Sequence, residues 1–159
     1  MKKSLFSILM AATLLLGCAT QQKRAEKREA MRKAVAEAVE KKQIHVGILS
    51  MNSMRYGSRT VTPDFYLELR GDTLRSYLPY LGQVHQASIT SPSQGLNFET
   101  VVQNYQLNSK KAHKWEMELV AKTQEDTYHY RIELYDTGQT YIQVRSLHRD
   151  PISFDGRLE

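Results

Sequence analysis

Cysteine is almost absent from this sequence, because Cys18 is the only one among 159 residues. A single cysteine excludes an intramolecular disulfide, so the fold must be stabilised by packing. A membrane-spanning helix is also not predicted, because such a helix needs about 20 apolar residues and the uncharged, mostly apolar run of residues 5–17 has thirteen. Glycine-rich phosphate loops and strand–turn–helix serine elbows are missing as well. The sequence therefore carries no catalytic signature.

The larger part of the chain, residues 44–159, is nearly neutral. The formal net charge is +5, of which residues 1–18 contribute +2 and residues 19–43 contribute +4. Residues 44–159 have a net charge of −1. A nucleic-acid-binding domain carries a basic surface that neutralises phosphates. No nucleic-acid partner is therefore expected.

The N-terminus has the three parts of an export signal. Lys2 and Lys3 are followed by the short apolar run, and Gly17 then precedes Cys18. Leu15-Leu16-Gly17-Cys18 resembles the bacterial lipoprotein signal, which implies cleavage before Cys18 and attachment of acyl chains such as palmitate to it. An ordinary secretory signal is the alternative. The resemblance implies an outer-membrane lipoprotein that faces the periplasm, since no acidic residue follows Cys18 closely.

Residues 18–43 are predicted to form a lipidated cysteine and a helical tether. Residues 23–42 are rich in strong helix formers and contain neither glycine nor proline. Met31, Val35, Ala38 and Val39 form a narrow apolar stripe at helical spacing. One interpretation is a basic helix that lies on anionic lipid. The favoured one is a solvated spacer whose last turns dock on the domain that follows, because the stripe lacks Trp, Phe and Leu.

Residues 44–159 are predicted to form a single antiparallel β domain. Apolar and polar residues alternate over residues 44–48, 65–70, 115–122, 130–135 and 142–145. This period of two is typical of strands with one face in the core and one in water. Short strands at this spacing predict a mainly β fold, an antiparallel barrel or curled sandwich of about eight or nine strands after the N-terminal helix.

Turn signals separate these strands. Gly71-Asp72, residues 124–126 and residues 136–138 are expected to form hairpin turns, and residues 91–95 a loop. Residues 101–107 are ambiguous between strand and short helix. Pro151 is expected at the start of an edge strand or a bulge, because proline cannot donate to a β ladder.

Four sequence blocks carry a family resemblance. They are SYLPYLG at residues 76–82, GLNFE at 95–99, Asn104-Tyr105, and ISFDG at 152–156. Their order resembles a domain of unknown function, DUF4251, found in Bacteroidetes lipoproteins. Leu81 departs from the pattern, since an aromatic residue is usual there. The resemblance covers about residues 44–158 and implies an exported, often lipid-anchored β domain without established catalytic residues.

The titratable residues do not form a recognisable catalytic or metal site. The histidines lie at positions 45, 85, 113, 129 and 148, without the spacing of metal ligands. Glu116 and Glu118 share one face of a strand, as an acid–base pair would. The opposite face carries Trp115 and Met117, so the glutamates are expected to face solvent, with Arg131 as a cation near Glu118. No catalytic residue, metal ligand or cofactor is predicted apart from the lipid on Cys18.

Residues 77–82 are the best candidates for binding. They are almost entirely apolar, with tyrosines that combine flat area with a hydroxyl. The predicted binding rim consists of Tyr77, Leu78, Pro79, Tyr80, Leu81, Phe98 and Tyr105. The alternative is a bent strand whose aromatics close one end of a barrel.

These observations predict a lipid-anchored envelope protein that acts as a non-catalytic binding module. Its partner would be an envelope protein, a peptide or a glycan, and the membrane through the lipid. A barrel carrier or chaperone for a small apolar ligand is the first alternative and requires an unfilled interior. A hydrolase is the second and requires titratable groups that converge in a cleft.

Overall fold

A computed structural model describes residues 2–85, 95–111 and 113–159, with side chains from residue 21 onward and not for 109–111. The chain forms one helix followed by nine strands. They are α1 (Lys2–Glu40), β1 (Gln43–Ser53), β2 (Gly57–Thr60), β3 (Tyr66–Arg70), β4 (Thr73–Pro79), β5 (Gly95–Lys111), β6 (Lys114–Lys122), β7 (Thr127–Tyr135), β8 (Gln139–Arg145) and β9 (Ile152–Leu158). No helix in the described ranges has the length and apolar composition needed to cross a membrane.

Eight of the strands close into an antiparallel barrel. Neighbours follow the order β1-β3-β4-β5-β6-β7-β8-β9, and β9 pairs back onto β1. The ninth, β2, pairs only with the second half of β1, as an extra strand outside the closed ring. Gly71 and Gly138 take positive φ values of 59° and 80° in the turns before β4 and β8. The predicted mainly β fold with an N-terminal helix is confirmed.

Alternate residues of each strand fill the barrel. In β7 and β9 the inward positions are buried, and Phe154 and Leu134 are fully so. Tyr130 is also buried, and its hydroxyl donates to Ser76 Oγ at 3.1 Å while Ser76 Oγ donates to the Leu96 carbonyl at 2.6 Å. These two bonds satisfy the buried hydroxyls of Tyr130 and Ser76, as burial requires. Burial raises the pKa of the Tyr130 hydroxyl.

The last turns of α1 cover the end of the barrel where β1 begins. Val35 and Val39 are 0% and 4% exposed, and Met31 packs beside Gly138. After the helix, the Lys42 carbonyl accepts a hydrogen bond from the Gly71 amide at 2.8 Å. The last turns of the helix therefore dock on the body, as the favoured interpretation expects, and the barrel covers the apolar stripe.

Several local expectations differ from the structure. Residues 101–107 are part of the long strand β5, not a helix. Pro151 precedes β9, which is no edge strand because it pairs with both β8 and β1. The proline lies just outside the ladder, where its missing N–H costs nothing. The loop expected at residues 91–95 lies outside the described residues except for Gly95, which begins β5.

Candidate binding surface

The seven residues of the predicted rim do not form one rim. Leu78 is fully buried in the core, and Phe98 stacks inside the barrel on Tyr128 at a centroid distance of 5.1 Å. Tyr105 lies beyond the β5 bulge near α1, under the Lys42 ammonium at 4.4 Å. Pro79, Tyr80 and Leu81 are half-buried at the opposite end. Only Tyr77 remains substantially exposed, on the outer wall.

Tyr80 closes the barrel end opposite α1. Its hydroxyl lies 3.0 Å from the Gln83 carbonyl and 3.2 Å from the Asp150 carbonyl. The guanidinium of Arg149 lies 5.2 Å from the ring centroid, a cation–π distance. A Cβ at Gly82 would come within 2.6 Å of the Tyr80 hydroxyl, so the bend needs glycine there. Tyr80 therefore lies as a plug at this end, as in the alternative interpretation, but Tyr105, which that interpretation packs against the same segment, lies near Lys42 at the other end.

Asp150 ties three segments together at this end. Its carboxylate accepts hydrogen bonds from Arg55 Nε at 2.8 Å and from the Gln83 amide at 3.1 Å, and lies 3.0 Å from His85 Nε2. These partners, Arg55 foremost, lower the pKa of Asp150 to about 2. The carboxylate is therefore ionised at neutral pH and holds the turn after β1 and residues 83–85 against the start of β9.

A second carboxylate–histidine pair lies next to the first. His148 Nδ1 is 3.2 Å from Asp126 Oδ1, and the His148 carbonyl accepts the His85 amide at 2.7 Å. Asp126 Oδ2 is buried and lacks a hydrogen-bond partner. Each histidine thus has its own carboxylate. No group of three or more His, Cys, Asp or Glu residues within the described ranges has the arrangement of a metal site.

The interior leaves little room for a ligand. Beside Tyr80, Tyr128 and Arg149 there is no room even for a water molecule, whereas ligand pockets begin at roughly 300 Å³. Burial also raises the pKa of Tyr128 to about 12, as expected for a phenol in a dry core. A carrier needs an open apolar interior, and the described part of the barrel is filled.

The glutamates of β6 belong to a charged outer face. Glu116 pairs with Arg131 at 2.9 Å. Glu118, which is opposite Arg131 in register, makes no ion pair with it, contrary to the expected cross-strand pair. Glu118 instead lines a shallow groove of about 290 Å³ with His129 and Arg145. These three groups form no hydrogen bond with one another in the described chain, so no activated acid–base pair is assembled.

Four aromatic rings form a continuous stack on the outer wall of β1, β3 and β4, which we call the aromatic strip. Its members are His45, Tyr66, Tyr77 and Phe65. The centroid distances are 5.2 Å for His45–Tyr66, 5.8 Å for Tyr66–Tyr77 and 5.3 Å for Tyr77–Phe65. Tyr77 is 40% exposed, and Leu49 beside the strip on β1 is 58% exposed.

Strand pairing explains the strip. Tyr66 is opposite Tyr77 in the β3–β4 register and opposite Gly47 in the β1–β3 register. His45 of the same strand stacks on the Tyr66 ring, and the space above Gly47 is filled by the Glu159 carboxylate. Sequence reasoning found Tyr77 but missed the other three rings. The signal that would have found them is the antiparallel register across Gly71, which places two outward tyrosines side by side.

A row of ion pairs borders the strip. Glu68, 6% exposed, lies 2.7 Å from Arg70 and 3.4 Å from Arg75, and Arg75 also pairs with Glu99 at 2.9 Å. His45 Nδ1 is 3.7 Å from the same Glu68 carboxylate. These charges satisfy one another, so the strip itself offers apolar contact.

The angles between the rings of the strip determine which parts of the rings a partner can contact. The His45–Tyr66 and Phe65–Tyr77 pairs are stacked with planes 25° and 27° apart, and Tyr66–Tyr77 is tilted by 38°, so neighbouring rings partly cover one another's faces. Ring edges and the two tyrosine hydroxyls are left for a partner. Sugars stack on open ring faces, whereas protein segments contact tyrosine edges and hydroxyls.

Comparisons with known proteins agree with this fold. The family model for a domain of unknown function, DUF4251, matches residues 26–158. The chain is similar to the crystal structure of a DUF4251 family protein from Bacteroides eggerthii DSM 20697, with a TM-score of 0.63 and 8% identity. That likeness covers 81% of this chain and 87% of the other, and at this identity it shows the fold alone. A search of the curated proteins gives no match.

Proposed function

The chain belongs to the DUF4251 family, and we propose that it is a lipid-anchored, non-catalytic binding module of the cell envelope whose contact surface is the aromatic strip. The observation that carries the proposal is the four-ring stack on the outside of a filled barrel. Tyr77 is 40% exposed, His45, Phe65 and Tyr66 are half-buried, and Phe65 also packs against the core, so the strip presents part of its ring surface at the outside of the barrel. Exposed aromatic patches on small soluble domains are typical of binding sites.

The anchor follows from the N-terminal sequence. Cys18 is the only thiol and directly follows a small residue at the end of an apolar run. A lipidated Cys18 would leave residues 19–34 as a spacer before Val35 enters the barrel end. Two or three acyl chains on one cysteine hold a protein stably on a membrane, which one chain does not. The sequence after Cys18 favours the outer membrane and its periplasmic side.

The partner that fits the strip is a segment of an envelope protein. Tyrosines are enriched at protein interfaces because their rings are large and rigid and end in a hydroxyl. Leu49 extends the apolar surface along β1, and the neighbouring ion pairs form a polar rim around it. A glycan is less suited, because the ring faces on which it would stack are partly covered.

Two pairs of tyrosines outside the core test the proposal. The Tyr66→Ser/Tyr77→Ser double variant removes the centre of the strip. The Tyr56→Ser/Tyr135→Ser double variant removes two exposed tyrosines elsewhere, with 54% and 36% exposure. Lipidated protein is purified from envelope extracts, and co-purifying proteins are quantified against the wild type.

We expect the strip variant to lose a specific co-purifying protein by about tenfold or more, since central interface tyrosines contribute about 2 kcal/mol or more each. The control variant retains it. Equal retention by both variants would overturn the proposal. Melting temperatures of both variants should remain near that of the wild type, because all four side chains lie outside the core.

A further inference from the structure

The first half of α1 extends past the barrel and forms a groove with the turn between β7 and β8. The groove has a volume of about 720 Å³. Arg24, Lys27, Arg28 and Arg32 line it from the helix, together with Glu29 and Met31. Asp136, Thr137 and Arg157 line it from the barrel. The groove therefore lies between the proposed anchor and the barrel.

One face of α1 changes chemistry along its length. Val39, Val35 and Met31 follow each other at intervals of four and pack on the barrel. Arg28 and Arg24 continue the same face at helical spacing, where the helix no longer covers the core. On this face of α1 the residues that cover the barrel core are therefore apolar. The residues that extend past the core on the same face are cationic.

The cations of the groove have no protein partner. Among the described residues, Arg24, Lys27, Arg28, Arg32 and Arg157 make no ion pair, whereas Lys41 further along the helix pairs with Glu37. Asp136 is already held by His113 at 2.6 Å. Glu29 is the remaining acidic group in the lining, so the groove is strongly positive. A cluster of unpaired Lys and Arg on a helix beside a membrane anchor is typical of attraction to anionic lipid.

We propose that this groove binds the phosphate headgroups of anionic lipids in the membrane that carries the protein. The inference builds on the proposed anchoring at Cys18. Arg24 follows Cys18 by six residues and Arg28 by ten, which correspond to about 9 Å and 15 Å along a helix. These distances are comparable to the Debye length of about 8–10 Å, so the nearest cations feel the surface charge. Binding there would orient the barrel on the membrane.

The test compares the purified full chain on two kinds of vesicle. One contains phosphatidylcholine alone, and in the other about one third is phosphatidylglycerol. The N-terminal apolar run contributes equally to both, so the difference isolates the electrostatic attraction. The groove variant is Arg24→Gln/Lys27→Gln/Arg28→Gln. The control variant is Arg59→Gln/Lys122→Gln/Arg145→Gln, which removes the same charge from exposed barrel positions.

The wild type is expected to prefer anionic vesicles. The groove variant should lose about one hundredfold in affinity for them, since each cation near such a surface contributes about fivefold. The control should lose only a fewfold. Equal binding of the wild type to both vesicles, or an equal loss in both variants, would overturn the proposal. Because neither lipidation nor the strip enters this assay, its outcome is separate from that of the tyrosine variants.

Discussion

Asp150 is the residue on which the Tyr80 end of the barrel depends most. It joins Arg55, Gln83 and His85, which belong to segments far apart in the sequence. The Asp150 backbone carbonyl also accepts from the Tyr80 hydroxyl. The Asp150 side chain therefore holds together the Tyr80 end of the barrel, which is polar and half-exposed and which the Tyr80 plug alone does not fix.

We predict that Asp150→Asn weakens the acid dependence of stability. The folded pKa of about 2 is below the unfolded value of about 3.9, so ionised Asp150 stabilises the fold above the unfolded pKa. That contribution is lost as the pH falls from about 5 to about 2. Urea titrations across this range should therefore show a smaller fall in unfolding free energy for the variant, which is already less stable at pH 7.

The control for this prediction is Asp64→Asn. Asp64 is exposed and makes no hydrogen bond or ion pair in the described chain. Its substitution should leave the pH dependence unchanged. An Asp150→Asn protein whose acid dependence equals that of the wild type would contradict the role assigned to this carboxylate.

At the scale of elements, α1 is held by a few apolar side chains. Val35 is fully buried although the helix is otherwise mostly exposed. We predict that Val35→Asp lowers the unfolding free energy by about 2–4 kcal/mol, because it removes an apolar contact and places a charge against the core. Hydrogen exchange should show lost protection over residues 31–40.

Ala34→Asp is the matched control, because it introduces the same side chain at the adjacent, exposed position. Its effect should stay below about 1 kcal/mol, the cost of a poorer helix former and a surface charge. If both variants destabilise equally, the helix is not docked through Val35.

Most elements could be predicted from the sequence, because apolar and polar residues alternate in strands that have one face in the core and the other in water. The strands from Gln43, Tyr66, Lys114 and Thr127 are examples, as are the hairpins at Gly71 and Gly138. β2 was not predicted, since its four residues are all exposed and have no alternation to detect. Residues 101–107 were ambiguous because the β5 bulge at Asn104, with φ of 53°, breaks the period of two.

The binding surface was less predictable than the fold. An apolar segment such as residues 77–82 looks the same in sequence whether it plugs a barrel or forms a rim. Burial divides it, with Leu78 and Tyr80 turned toward the barrel and Tyr77 outside. The aromatic strip depends on strand register, which brings Tyr66 and His45 to Tyr77 from two other strands. Such cross-strand neighbours can be found in the sequence only by working out the register of each hairpin, as for Tyr66 and Tyr77 across Gly71.

At the scale of the whole molecule, the proposed anchor, the basic groove and the aromatic strip would act together. Lipid at Cys18 would hold the chain, the groove would orient it, and the strip would contact an envelope protein. The filled barrel is then a rigid support that keeps the rings in register. In the proposed function its filled interior would take no part.

Site-specific photocrosslinking in living cells tests this account most directly. A photoreactive phenylalanine analogue replaces Tyr77 in one strain and Tyr135, on the opposite wall, in another. The account predicts a discrete adduct from position 77 that sediments with membranes and is lost in a Cys18→Ala background, and none from position 135. The absence of an adduct from position 77, or the same adduct from both positions, would contradict it.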